Sequence, residues 1–233
     1  MRVLLIEDDL IAARSVILKL KAGGAIVDHV DTGEEGLGLL RHYDYDIVLL
    51  ALMLPDIDGF EVVRRMRGGR NDTPVLIVSG LTRPQAKVKA LGLGADDFIT
   101  KPFNNAELLA RMQAIVRRSK GFSQPSLRIG ALQLSLDRHE VLVNGKHVHL
   151  TGKEYATLEL LVLHNGVAVT KKAFLDHLYG RMDEPELQII DVFICNLRKK
   201  LAVAGADNLI GTVWGRGYMI REPSPATPPG SIP

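Results

Sequence analysis

The sequence predicts an α/β chain of two domains, a doubly wound parallel sheet of about five strands followed by a smaller α+β unit of winged-helix type. Three observations carry that prediction. A length of 233 residues suits two domains at roughly 100–200 residues each. Short apolar runs alternate with helical patterns as far as about residue 120, the sign of parallel crossovers. Beyond a Ser-, Gly- and Pro-bearing stretch the pattern becomes hairpins and three helices closed by a last hairpin.

In order, Val3 to Ile6, Ile26 to Val30, Ile47 to Leu50, Val75 to Val78 and Phe98 to Ile99 read as strands. They lack clean polar alternation, as expected of strands covered by helices on both faces. A helix is expected from about Asn104 to Arg118, then a linker over 119–127 (SKGFSQPSL). Leu132 to Leu136 and Val141 to Val143 follow, and Asn144-Gly145 supplies a tight hairpin turn before Val148 and Leu150. Thr151-Gly152-Lys153-Glu154 is a capping box that starts a helix to about His164. Thr170 caps a second helix ending near Gly180, and a third fills Pro185 to about Ala202. Thr212 to Ile220 closes the second domain as a hairpin around Gly215 and Gly217. The domains are thus 1–118 and 128–222, and the Pro-rich residues 223–233 read as a disordered tail.

Composition removes several classes of function. Hydrophobic residues at 46% and charged residues at 24% exclude a fibre, a coiled coil and a disordered chain. The longest apolar run, Ile47 to Leu54, is far short of the ~18 residues that cross a bilayer, so no membrane partner is expected. One cysteine, Cys195, excludes an internal disulfide or a cysteine zinc site, and with no secretory leader at MRVLLIEDD the expected compartment is the cytoplasm. Net charge is only +2, yet Cys195 to Arg221 carries five basic residues against one acid, a local patch suited to phosphate.

The strand ends define a first candidate site. In a doubly wound sheet, ligands lie outside the carboxyl ends of the strands. Asp8 and Asp9, Ala51, Ser79 and Lys101 each follow one of four strands. Adjacent acids at a strand end fit Mg²⁺, a cation that bridges carboxylate to phosphoryl oxygen, while a lysine and a hydroxyl suit that phosphoryl group. Asp8 and Asp9 alone would equally fit a helix cap; Ser79 and Lys101 at matching strand ends favour the site.

Through IEDD at 6–9, MLPDIDG at 53–59, VSG at 78–80 and GADDFITKPF at 94–103, residues 1–118 resemble the receiver domain of two-component response regulators, a flavodoxin-like fold. The resemblance implies that Asp8, Asp9 and the carbonyl of Met53 hold Mg²⁺. It makes Ser79 and Phe98 the switch residues, Lys101 the phosphoryl contact, and places a cis peptide before Pro102. It also implies a histidine kinase or phosphotransferase as partner. Ala51 departs from the pattern: it stands where receivers carry the phospho-accepting aspartate, and a methyl group neither attacks phosphorus nor ligates a metal. Two readings follow, an engineered phospho-null form of an ordinary regulator, favoured because the other acids, hydroxyl and lysine remain, and a natural pseudo-receiver. Either way Mg²⁺ binding is weakened or lost.

Lys87, Asp96, Asp97, Glu107, Arg111 and Arg118 match positions at which the OmpR/PhoB subfamily forms a symmetric dimer, so a homodimer is implied. Read without the family, the same residues are a solvated charge network. On the third helix of the second domain, Leu187, Ile190, Ile194, Leu197 and Leu201 form the apolar stripe. Gln188, Ile189, Val192, Cys195, Asn196, Lys199 and Lys200 project away from it, with Arg198 at the flank, placed to reach a phosphate or to pair with a neighbouring acid. Amides suit adenine, aliphatic groups the thymine methyl, and lysines phosphate, which points to double-stranded DNA. Trp214 and Arg216 in the last hairpin extend this surface, although Trp214 would also fit a core.

Residues 128–222 resemble the OmpR/PhoB winged-helix effector, and HLTGKEYATLELL, LYGRMDEPELQIIDVFICNLRKKL and TVWGRGY resemble a branch of it that controls cell-cycle genes. The resemblance implies a transcription factor, with Tyr179 to Glu186 as a contact for RNA polymerase. An enzyme is not expected: Mg²⁺-dependent phosphoryl chemistry would need a nucleophile, and position 51 offers none.

Overall fold

A computed structural model of the chain describes residues 1–124, 126–136, 138–179 and 185–221. The described residues divide into two compact units, one of Met1–Ser123 with Leu175–Tyr179, the other of Gln124–Phe174 and the chain from Pro185.

The first unit alternates strand and helix: β1 Arg2–Ile6, α1 Leu10–Ala22, β2 Ile26–Val30, α2 Gly33–His42, β3 Ile47–Leu50, α3 Gly59–Gly68, β4 Val75–Ser79, α4 Pro84–Gly92, β5 Asp97–Thr100 and α5 Asn105–Ser119. The five strands are all parallel in the order β2-β1-β3-β4-β5. Side chains alternate across the sheet and supply two cores. Leu4, Ile6, Val48, Leu50 and Ile77 pack with Leu37, Leu40, Val62, Val63 and Met66 of α2 and α3. Val3, Leu5, Ile47, Leu49 and Leu76 pack with Ala13, Val16, Leu20, Leu108, Met112 and Ile115 of α1 and α5. Apolar burial on both faces explains why these strands show no polar alternation. The PDIDG segment also does local work. Asp56 accepts the free N–H groups of Gly33 and Glu34 at the start of α2 (2.9 and 2.8 Å), and Asp58 caps α3 through Glu61 N–H (2.7 Å).

In the second unit β6 Ser126–Ile129, β7 Leu132–Ser135, β8 Glu140–Val143 and β9 Lys146–His147 form an antiparallel meander. It is followed by α6 Gly152–Leu163, α7 Lys171–Tyr179, α8 Gln188–Val203 and the hairpin of β10 Ile210–Val213 with β11 Gly217–Ile220. The winged-helix prediction holds, with α7 crossing the division between the units at Leu175. Asn144 and Gly145 both take positive φ (52° and 75°), the geometry of the Asn-Gly turn. The capping box forms as read, Thr151 Oγ1 accepting from Glu154 N–H and Glu154 accepting from Thr151 N–H. Thr170 caps α7 through Ala173 N–H at 3.1 Å.

Two differences from the sequence reading concern boundaries. β6 begins at Ser126, inside the expected linker, because Leu127 and Ile129 alternate with polar residues and bury against the meander. α8 begins at Gln188 and Leu187 stays exposed, so the apolar stripe starts at Ile190. The expected tail, 223–233, and the loop core Gly180–Glu184 of the RNA polymerase segment lie outside the described residues.

Candidate functional site

Parallel pairing sets the carboxyl ends of β1, β3, β4 and β5 side by side, which brings the first set of candidates together. Ala51 donates its N–H to Ile6 O (2.9 Å), and Lys101 donates its N–H to Ser79 O (2.8 Å). Ala51 and Ser79 are buried, and Ser79 Oγ accepts from Leu81 N–H at 3.2 Å. The Lys101–Pro102 peptide is cis. The start of α3 lies so close to residue 51 that a Cβ on Gly59 would stand 2.3 Å from the Ala51 carbonyl oxygen, which is why the motif closes with glycine.

The acids divide differently from the sequence reading. Asp9 is the N-cap of α1: its Oδ1 accepts from Ile11 N–H (2.9 Å) and Ala12 N–H (3.1 Å), and those bonds hold its carboxyl below the usual range. Asp8 is exposed, just past the end of β1. Glu7, which the sequence analysis did not single out, is 4% exposed and accepts from Lys101 Nζ at 2.5 Å, an ion pair from the end of β1 to the end of β5. A single acid at the end of an apolar strand looks like the strand's last residue; only the sheet shows that it turns into the crevice. Met53 exposes its side chain in the loop between β3 and α3. Phe98 is buried on β5 with the Lys87 ammonium 5.5 Å from its ring centroid.

Of the remaining charges on this unit, Arg111 bridges Asp97 (2.7 Å) and Glu107 (2.8 Å) on the face of β5 and α5. Asp96 is used within the fold, accepting from Val75 N–H (2.8 Å) and Arg67 (3.2 Å). Arg118 donates to the Ala114 carbonyl of its own helix (3.2 Å).

The second set lies on α8 and the hairpin. Ile190, Ile194, Leu197 and Leu201 are buried, while Gln188, Val192, Cys195, Asn196 and Lys199 are exposed and Ile189 is half-buried. Trp214 is 93% exposed at the hairpin tip, which removes the core reading, and Arg216 is exposed beside it. Two cations grouped with this face turn elsewhere. Arg198 donates to Ile210 O (3.1 Å) and Thr212 Oγ1 (2.9 Å), and Lys200 pairs with Glu154 at 2.6 Å. Burial pushes the Glu154 carboxyl up, but Lys200 and the Thr151 N–H outweigh it and hold it below the usual range. Among the described residues neither Lys199 nor Arg216 meets a carboxylate.

A five-stranded receiver sheet and a winged-helix effector on one chain define the class of a DNA-binding response regulator. Residues 3–113 match the response regulator receiver domain, and residues 145–220 match the C-terminal domain of transcriptional regulatory proteins. The chain belongs to the OmpR/PhoB-type response regulators. It is 58% identical over 224 residues to the cell cycle response regulator CtrA of Brucella anthropi and equally to that of Brucella ovis, covering 96% of this chain and 97% of each relative. Among solved structures it is similar to response regulator DrrB, a Thermotoga maritima OmpR/PhoB homolog. Identity there is 30% over 94% of this chain and 98% of that one, with a TM-score of 0.46.

Proposed function

We propose that this chain is a cell-cycle transcription regulator that reads double-stranded DNA through α8 and the β10–β11 wing, and that its receiver does not accept phosphate at residue 51. The observation that carries the reading is the exposed row of Gln188, Val192, Asn196 and Lys199 on a helix anchored by four buried aliphatic residues, next to an exposed Trp214 and Arg216. Amide groups pair with adenine edges, Val192 suits a thymine methyl, and Lys199 and Arg216 meet phosphates or the minor groove. Ile189 at the edge of the row adds apolar contact.

In the receiver the donor set for Mg²⁺ is reduced. Asp8, Glu7 and the Met53 carbonyl are the oxygen ligands available; Asp9 serves α1, Glu7 is shared with Lys101, and Ala51 offers nothing. A magnesium ion supplies charge neutralisation for an incoming phosphoryl group. Lys101 and Ser79 hold the positions from which an ammonium and a hydroxyl would orient that group. Everything but the acceptor is present, which favours an aspartate replaced by alanine in a regulator that otherwise works by phosphorelay from a histidine kinase or phosphotransferase. A homodimer through the α4–β5–α5 face, contact with RNA polymerase and a cytoplasmic location complete the reading.

Selection from a randomised duplex library, followed by titration of the selected duplex against salt, tests the assignment. Expected is a specific site whose affinity falls steeply with salt, because each neutralised phosphate releases counterions. Failure to select any duplex would remove the DNA-binding reading.

A further inference from the structure

α8 grips the wing at two points seven residues apart, two helical turns and therefore about 10 Å along one face. At the first, Asp191 Oδ1 accepts from the Tyr218 hydroxyl of β11 (2.6 Å) while its Oδ2 accepts from Lys171 Nζ at the start of α7 (2.8 Å). At the second, Arg198 donates to Ile210 O and Thr212 Oγ1 of β10, and its guanidinium lies 5.6 Å from the centroid of the Tyr218 ring. Tyr218 thus meets one grip through its hydroxyl and the other through its ring. Its backbone is fixed independently, exchanging hydrogen bonds with Val169 (2.7 and 3.0 Å), and the approach is so close that a Cβ on the adjoining Gly217 would stand 2.0 Å from Val169 O.

The wing needs this bracing. Two four-residue strands do not hold a hairpin on their own in water, and Trp214 and Arg216 lie beyond the last paired residues, Val213 and Gly217. A small rotation at the base becomes a large displacement at the tip, and contacts to DNA require helix and tip to meet it in register.

Resting on the DNA-binding reading above, we infer that Asp191, Tyr218, Arg198 and Lys171 are positioning residues that lock the wing to the reading helix, so that both enter DNA as one body. Arg198 is accordingly a brace rather than a phosphate contact. The carboxyl of Asp191 is held below the usual range by Lys171 and then by Tyr218, so the brace carries its charge at neutral pH.

The test uses the full chain and a duplex selected by the wild-type protein, with Kd measured against salt for Tyr218→Phe, Asp191→Asn, Arg216→Ala and the Tyr218→Phe/Arg216→Ala pair. Tyr218→Phe removes no charge, yet is expected to lower the salt slope by about one as Arg216 loses its phosphate. The loss caused by Arg216→Ala is expected to shrink in the Tyr218→Phe background. Asp191→Asn removes a negative charge and releases Lys171, so electrostatics alone would tighten binding, whereas loss of the brace weakens it. An unchanged slope with additive losses, or tighter binding by Asp191→Asn, overturns the inference even if melting temperatures fall. If Tyr218→Phe does not fold, Asp191→Asn decides by its sign. A wild-type chain that selects no duplex would instead remove the DNA-binding reading, and this inference with it.

Discussion

Lys199 and Lys200 are neighbours of identical type with different employment. Lys200 reaches back to Glu154, whose side chain is 5% exposed and also closes the capping box of α6, whereas Lys199 is exposed on the face that carries Asn196. Lys199→Ala should therefore weaken binding to all DNA sequences alike and reduce the salt slope by about one. Lys200→Ala should leave the slope near its original value and cost about 1–3 kcal/mol of stability in denaturant melts, since it strands a hydrogen-bonded buried carboxylate. Equal effects of both on the slope would refute the assignment. The sequence could not separate the two, because helical projection puts both outside the apolar stripe, and only the position of α6 decides which one finds an acid. Glu7 and Asp9 follow the same logic. Asp8 and Asp9 are legible as an acidic pair, but that Asp9 caps α1 and that Glu7 before them turns to Lys101 depends on where the strand ends and the helix begins.

The elements themselves were largely legible. Apolar runs located all five parallel strands, and Asn144-Gly145, Thr151 to Glu154 and Thr170 located their turn and caps, because each signal is a local backbone requirement. Short polar-alternating β6 was missed, since its strand character comes from pairing with β7 rather than from its own four residues. The row on α8 supports a prediction about bases: with no arginine at its centre, the preferred half-site should favour A·T pairs. Asn196→Ala should cost about 1–3 kcal/mol at one or two such positions and relax preference there, as read by binding to single-base variants of the selected duplex. G·C-rich selected sites would show that another face reads the DNA. The wing carries a pH signature of its own. Burial, and then the Asp191 carboxylate, push the Tyr218 phenol from an ordinary 10.0 up to about 12. A folded-state pKa above the unfolded value favours the protonated form in the fold. That contribution is complete below pH 10.0 and is lost as the pH rises from there to about 12. Urea melts of the wild type and Tyr218→Phe should therefore converge over this interval; parallel curves would mean that the phenol is not held by the fold.

At the scale of the whole molecule, the question is what a receiver with alanine at its acceptor contributes to a DNA-binding chain. Lys101 and Ser79 keep their places at the crevice, Lys101 is neutralised by Glu7, and Phe98 is buried under Lys87. Placing a carboxylate at residue 51 gives Mg²⁺ another hard oxygen ligand and gives the crevice a nucleophile, so Ala51→Asp should bind Mg²⁺ more tightly and be phosphorylated by acetyl phosphate. In the proposed regulator, phosphate would act on assembly through the α4–β5–α5 face. There Arg111 already satisfies Asp97 and Glu107 within one chain, so intermolecular ion pairs would exchange partners rather than add new ones, and exposed pairs contribute only ~0–1 kcal/mol each. Val88 and Leu91 of neighbouring α4, 71% and 47% exposed, supply apolar area that ion pairs alone do not. The expected outcome is that the Ala51 chain keeps one sedimentation profile and one DNA affinity with or without acetyl phosphate and Mg²⁺. Ala51→Asp should gain one phosphoryl group by mass spectrometry, shift toward dimer, and bind paired half-sites more tightly than single ones. Val88→Glu in that background should cancel the dimer shift and the preference for paired sites while leaving the phosphoryl mass in place. If Ala51→Asp takes no phosphate under conditions that label a control receiver, the crevice is not a latent phospho-acceptor site and the chain is a natural phosphorylation-independent regulator.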